Sequence, residues 1–248
     1  MLYLISIGLH DEKDMSLKAL EAAKKCDMLY AEFYTNKMNT TVNRLSALIG
    51  KNVTELKRPD LEENSDKIIS EARNKNVGIL VGGDALSATT HISLILDAKK
   101  KGTKAQVIHG SSILTAVAET GLQLYKFGRT TTLAFPEKNY FPTSAYDVVL
   151  ENKKGGLHTL ILLDVKPGKG MTLKEGIGLL MEMERQKNKG LFDGKTRLVA
   201  ASGFGGRAEI RYNSMENLLK DKSIGMTPAV LICPGELHFM EKECLESL

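Results

Sequence analysis

The chain has 248 residues, 42% hydrophobic and 26% charged, with a net charge of +4 and three cysteines. This length buries a core without disulfide or metal staples, and the composition excludes a disordered or fibrous chain. The small positive charge carries no argument for nucleic acid. The irregular spacing of Cys26, Cys233 and Cys244 gives neither a disulfide framework nor zinc ligands and fits a reducing cytoplasm. No apolar run is long enough to span a membrane.

The amino terminus lacks the basic flank and cleavage site of a signal peptide and reads as a first strand, Leu2 to Ile7, ending at Gly8. Ser16 to Lys25 has helical spacing with Ser16 as cap. Met28 to Phe33 reads as a strand, Thr41 to Ile49 as a helix, Thr54 to Leu56 as a short strand, and Leu61 to Arg73 as a helix. The apolar run Val77 to Val81 is a buried strand that stops at Gly82-Gly83-Asp84. A helical pattern from Leu86 to Lys101 follows, then a strand from Ala105 to His109 and a helix through Ile113, Leu114, Val117 and Ala118. Strands alternating with helices, with near-continuous apolar strands, predict a mostly parallel sheet covered on both faces.

Gly121 to Arg129 is mixed and suits a linker, so two α/β domains are expected, residues 1–122 and 123–248. The second half reads as a strand at Thr130 to Phe135, a loop from Pro136 to Thr143 and a helix at Ser144 to Glu151. A strand follows at His158 to Asp164, a helix at Thr172 to Gln186, and strands at Arg197 to Ala201 and near Ile210. A helix at Ser214 to Lys220, a strand at Ala229 to Cys233 and a helix from Leu237 complete it. Here strands cluster more closely, which predicts a mixed sheet.

Several common chemistries find no support. Ile5-Ser-Ile-Gly-Leu-His10 lacks the glycine spacing of a Rossmann nucleotide site. Gly168-Lys169-Gly170 lacks the hydroxyl and upstream glycine of a phosphate loop and reads as a turn. No Gly-x-Ser-x-Gly elbow occurs. The five histidines are too scattered for zinc, and no metal is expected. What remains is a set of strand ends: Gly8-Leu9-His10, Gly82-Gly83-Asp84, His109-Gly110-Ser111-Ser112-Ile113 and Leu162-Leu163-Asp164. In a parallel sheet such ends meet along one edge, where ligands bind and where glycines let them approach the backbone.

Four segments, Gly83-Asp-Ala-Leu-Ser-Ala-Thr-Thr-His91, His109-Gly-Ser-Ser-Ile113, Tyr140-Phe-Pro-Thr-Ser-Ala-Tyr-Asp147 and Gly156-Leu-His-Thr-Leu-Ile-Leu-Leu-Asp164, resemble the diphthine synthase family. That family is a branch of the tetrapyrrole methylase superfamily, and the resemblance runs nearly end to end. It implies two α/β domains with the cofactor folded into the cleft between them, and a homodimer. It implies a methyltransferase that takes its methyl group from S-adenosylmethionine and leaves S-adenosylhomocysteine. The acceptor would be the amino nitrogen of an aminocarboxypropyl-modified histidine of translation elongation factor 2, methylated up to a trimethylammonium. No membrane or direct nucleic-acid contact is implied, and the location is cytoplasmic.

Carried over by position, the implied cofactor contacts are Leu9, Asp84, Ser87, Ser112, Ile113, Leu163, Asn213 and His238. No catalytic base is named. Two positions depart from the family: Ser87 stands where valine is common, and Val199-Ala-Ala-Ser-Gly-Phe-Gly-Gly206 lacks the arginine of an Ala-Arg-Ala-Gly-like run. Arg197, Arg207 and Arg211 are candidates to replace it. Tyr140, Tyr146 and Asp147 either line the acceptor side or, for Tyr146 and Asp147, start a helix and pack. The alternatives to this function are a methyltransferase acting on a precorrin-type tetrapyrrole and a non-catalytic relative that keeps the fold.

Overall fold

The structure is a computed structural model that describes residues 1–166 and 168–248. The chain divides into two compact units, Met1–Leu114 and Thr115–Leu248.

The first unit contains strands β1 (Leu2–Gly8), β2 (Met28–Glu32), β3 (Val53–Leu56), β4 (Val77–Gly82) and β5 (Ala105–Ile108). They form one sheet in the order β3-β2-β4-β1-β5, parallel throughout as expected. Alternate residues of β1 serve opposite faces, following the period of two of a strand. Ile5 and Ile7 pack with Leu80 against Ala19, Ala23 and Leu45, from α1 (Leu17–Lys25) and α2 (Val42–Ile49). Leu2 and Leu4 pack with Ile79 and Val81 on the other face. They meet Leu61 of α3 (Arg58–Glu62), Ile69 of α4 (Asp66–Glu71) and Leu94 of α5 (Ile92–Lys100). Burial on both faces is why β1 and β4 read as unbroken apolar runs.

Two predicted helices need correction. The span Leu61 to Arg73 is two short helices, because Asn64 intervenes and bonds the Pro59 carbonyl with both its backbone N–H (2.9 Å) and its side chain (3.3 Å). The helix expected from Leu86 begins only at Ile92. Between them Ala88 is left-handed (φ 57°), and Asp84, Ser87 and Thr89 turn their side chains onto neighbouring groups. Short polar side chains compete with the helix for local partners, and here they win.

A short helix α6 (Ile113–Ala116) follows β5 in sequence. The second unit then has β6 (Thr131–Leu133), α7 (Ser144–Lys154) and β7 (Thr159–Leu163). A two-residue ladder, β8 (Val165–Lys166) with β9 (Lys169–Gly170), occupies the Gly168–Gly170 turn and was not predicted. Next come α8 (Leu173–Lys187), β10 (Arg197–Ser202), β11 (Glu209–Ser214), α9 (Met215–Lys220), β12 (Ala229–Cys233) and α10 (Phe239–Glu246). The five-stranded sheet runs β11-β10-β12-β7-β6, with β6 parallel to β7 and the remaining pairs antiparallel, the mixed sheet expected. Its core joins Ile161, Leu198 and Leu231 from the strands to Tyr146, Ile177 and Leu180 from the helices.

Candidate active site

The carboxyl ends of β1, β4 and β5 form one edge of the first sheet. There Gly8 donates to the Gly83 carbonyl at 3.2 Å, and Gly83 donates to the Gly8 carbonyl at 2.6 Å. Both glycines are left-handed, at φ 107° and 72°. A Cβ on Gly8 would stand 2.4 Å from Asp14 Cβ, so the position is closed to any side chain. A Cβ on Gly83 would meet nothing nearer than Asn36 Nδ2 at 4.0 Å, so the backbone there is bare and approachable.

Asp84 organises this edge. Its Oδ2 lies 2.8 Å from His109 Nδ1 and accepts from Gly110 N–H at 3.2 Å. Its Oδ1 accepts from Leu86 N–H at 3.0 Å and from the Ser87 hydroxyl at 3.2 Å. A carboxylate has about four acceptor positions, and these partners fill them. Burial works to raise its pKa, but the bonds from His109, Leu86 and Gly110 outweigh burial and hold the carboxyl below its usual range. Ser6 Oγ accepts from Ala85 N–H at 2.9 Å, tying the same turn to β1.

The loop after β1 that carries Leu9 is fastened on both sides. Asp14 accepts from His10 N–H at 2.6 Å, and Asn39 N–H donates to the His10 carbonyl at 2.8 Å. Arg44 grips Glu12 from Nε (3.1 Å) and Nη2 (2.8 Å) and donates to the Asn39 carbonyl at 2.8 Å. Glu32, at the end of β2, escaped the sequence reading. It is wholly buried, accepts from the backbone of Tyr34 and Thr35 at 3.0 Å each, and lies 3.8 Å from His91 Nε2. No local pattern marks such a carboxylate, because its partners are backbone groups of the next turn and a histidine distant in sequence.

Of the predicted contacts, Leu9, Asp84, Ser87, Ser112 and Ile113 therefore follow three adjacent strands of one sheet. The other three lie in the second unit on separate elements. Leu163 ends β7, and Asp164 after it accepts from Phe135 N–H at 2.9 Å. Asn213 is exposed on the edge strand β11, its Oδ1 taken by Ser214 N–H (2.9 Å) and Asn217 Nδ2 (3.0 Å). His238 caps α10 and donates its backbone N–H to Glu241 Oε2 at 2.8 Å.

Glu241 is wholly buried and also accepts from Lys126 Nζ (2.6 Å), Gln123 N–H (2.9 Å) and His158 Nε2 (2.9 Å). Burial raises its pKa, yet Lys126, the backbone donors and His158 pull it to about 2. His158 Nδ1 accepts from Gly235 N–H at 2.9 Å, so its proton sits on Nε2. Burial lowers the pKa of His158, and the ring is neutral at pH 7.

A model of the tetrapyrrole (corrin/porphyrin) methylases matches residues 1–212. The chain belongs to the tetrapyrrole methylase family. It is 42% identical to a diphthine synthase of Methanocaldococcus jannaschii, over all of this chain and 98% of that one. A diphthine synthase of Methanococcus aeolicus is 41% identical over the same shares. A crystal structure of diphthine synthase superposes with a TM-score of 0.91 at 36% identity, covering 99% of this chain and 94% of that one. The protein is thus a methyltransferase, and its parallel first sheet and mixed second sheet are those of the methylase fold.

Within this methylase several sequence expectations resolve. Tyr146 packs: it is wholly buried, its hydroxyl donates to Glu184 at 2.7 Å, and its ring meets Phe192 edge-on at 5.8 Å. It does not line an acceptor surface. Asp147 pairs with Lys187 at 2.9 Å, while Tyr140 is 65% exposed in the long loop. In the atypical run, Val199 to Ser202 is the end of β10, and Gly203 turns at φ 73° toward β11. Arg197 stacks on Tyr212 at 3.9 Å, and Arg211 lies 3.8 Å from Asp221. Ser202 Oγ and Glu209 Oε2, on directly paired residues, are buried without a hydrogen bond among the described residues. Among the described residues no helix is long and apolar enough to cross a membrane, and no cluster of three His, Cys, Asp or Glu could hold a metal.

Proposed function

We propose that the protein methylates the amino nitrogen of the aminocarboxypropyl-modified histidine of translation elongation factor 2, using S-adenosylmethionine. The observation that carries this reading is likeness to diphthine synthases over the whole chain, 42% identical in one case. It rests also on the four segments that resemble that family, among them Tyr140–Asp147. A cytoplasmic location, where the factor works, and a homodimer belong to the same reading.

The residues present fit the cofactor. The bare backbone at Gly83 leaves a cradle that a side chain would fill. Leu9, Ile113 and Leu163 offer apolar contact, Ser112 offers a hydroxyl and Ser87 its backbone. Asp84 acts through the turn it holds, since its own acceptor positions are filled by that turn. In the second unit, His238 and Asn213 are the proposed contacts.

When bound, the cofactor supplies a methyl group on a positively charged sulfur. The protein's task is then mainly geometric, because in-line displacement rewards alignment of donor and acceptor. The fixed strand-end turns supply that alignment from backbone rather than from flexible side chains. The acceptor amine must also lose a proton before it can attack.

The test is transfer of labelled methyl to elongation factor 2 bearing the unmethylated aminocarboxypropyl-histidine, weighed by mass spectrometry. Mass gains in methyl steps on that residue are expected. Cofactor binding without transfer would overturn the reading in favour of a tetrapyrrole acceptor or an inactive relative.

A further inference from the structure

We propose that His109 is the general base of methyl transfer, held and oriented by Asp84. The inference rests on the amine-methylating function proposed above. His109 ends the β5 edge of the sheet, its side chain 70% exposed, while the Asp84 side chain is 8% exposed. The contact runs from His109 Nδ1 to Asp84 Oδ2 at 2.8 Å. The carboxylate is an acceptor only, so the neutral ring carries its proton on Nδ1. Nε2 is left with a lone pair and faces away from the carboxylate. A buried carboxylate that fixes the tautomer of an accessible imidazole is a common way to prepare a base.

Asp84 is itself immobilised. Gly110, Leu86 and Ser87 bond the same carboxylate, so the ring is aimed by a fixed group and not by a mobile acid. Gly110 sits close against β1, where a Cβ would stand 2.6 Å from Ser6 Cβ and only glycine fits. Asp84 is the ion-pair partner of the ring, and the adjoining strand-end residues Gly8, Gly83, Gly110, Ser111 and Ser112 carry no charge. Nε2 thus keeps its lone pair whenever the ring is neutral.

The proton balance is simple. In water the acceptor amine is an ammonium. One N–H bond breaks, its proton goes to His109 Nε2, and the electron pair stays on the amine nitrogen for attack on the methyl carbon. The imidazolium then passes the proton to solvent through its exposed face. One proton leaves for each methyl added, and the cycle stops at the trimethylammonium, which has none.

The experiment measures single-turnover methylation of the modified elongation factor 2 against pH, with S-adenosylhomocysteine binding measured in parallel. For His109→Ala and His109→Gln the transfer rate should fall about 10²- to 10⁴-fold, the usual worth of a general base. S-adenosylhomocysteine binding should stay within threefold of wild type, and added imidazole should restore the alanine variant at least partly. The wild-type rate should rise with pH along a limb that vanishes in both variants. An active wild type with variants that transfer at its rate refutes the base, as do variants that lose product binding. An alanine variant that imidazole does not rescue also refutes it. A wild type inactive on the modified factor refutes the functional reading, and the base with it.

Discussion

Replacing Glu241 by alanine removes the acceptor for four donors at once: Lys126 Nζ, His158 Nε2, and the backbone N–H groups of Gln123 and His238. The Lys126 side chain is 23% exposed and finds water, but His158 is wholly buried. A buried donor left without its acceptor costs about 1–3 kcal/mol, so losing the acceptor for the His158 ring and the backbone donors together should cost about 3–5 kcal/mol. For a chain of this size that lowers the melting temperature by about 6–20 °C. Calorimetry checks the shift, and hydrogen exchange at the β7 amides localises it. The pH dependence follows with definite signs. The folded Glu241 pKa, about 2 against an ordinary 4.5, means its contribution is full above about 4.5 and is lost as pH falls toward 2. His158 is depressed below 6.5, so beneath that pH the unfolded imidazole takes a proton that the folded ring resists. Stability therefore falls on acidification from both groups, His158 acting first. In His158→Gln the upper part of this slope should flatten. A melting shift under about 3 °C for Glu241→Ala, with unchanged protection of β7, would show that the network is no more than a surface pair.

Other substitutions probe the proposed site and its frame. Gly8→Ala forces a side chain into a left-handed position 2.4 Å from Asp14 Cβ. It should cost about 2–5 kcal/mol in urea melts, and a loss below 1 kcal/mol would show that the turn gives easily. Tyr146→Phe removes one bond to Glu184, which keeps the Gly190, Leu191 and Phe192 N–H donors. It should cost about 1–2 kcal/mol of stability while kcat/KM stays within threefold; a kinetic loss without a stability loss would return Tyr146 to the acceptor side. Ser87→Val installs the side chain common in the family and removes one bond to Asp84. S-adenosylhomocysteine should bind within threefold of wild type by calorimetry, and a larger loss would show that the hydroxyl itself holds the ligand.

The order of strands and helices was legible because central parallel strands are apolar on both sides and their helices follow the 3.6-residue period. One cap was legible too: Ser16 accepts from Ala19 N–H at 3.1 Å, as its place before the apolar period implies. What failed has a common cause. Leu86 to His91 carries helical spacing, but Ala88 is left-handed and the hydroxyls of Ser87 and Thr89 hold the chain in turns. Sequence spacing counts apolar positions and does not see that competition. The strand-end glycines and Asp84 could be picked out as a candidate site from local pattern. The His109–Asp84 contact spans 25 residues, and the Glu241 network joins segments more than 80 residues apart. Such contacts depend on which strands become neighbours, which one sequence leaves open.

The fastening of the Leu9 loop has a thermodynamic consequence. Asp14, Asn39 and the Arg44–Glu12 pair fix its backbone through bonds the chain makes with itself. A molecule arriving at the strand ends therefore meets a loop whose ordering entropy was lost at folding. Each mobile side chain otherwise ordered on binding would cost about 0.5–1.5 kcal/mol. Asn39 and Arg44, neither of them among the proposed contacts, thus set how much of a ligand's contact energy appears as affinity.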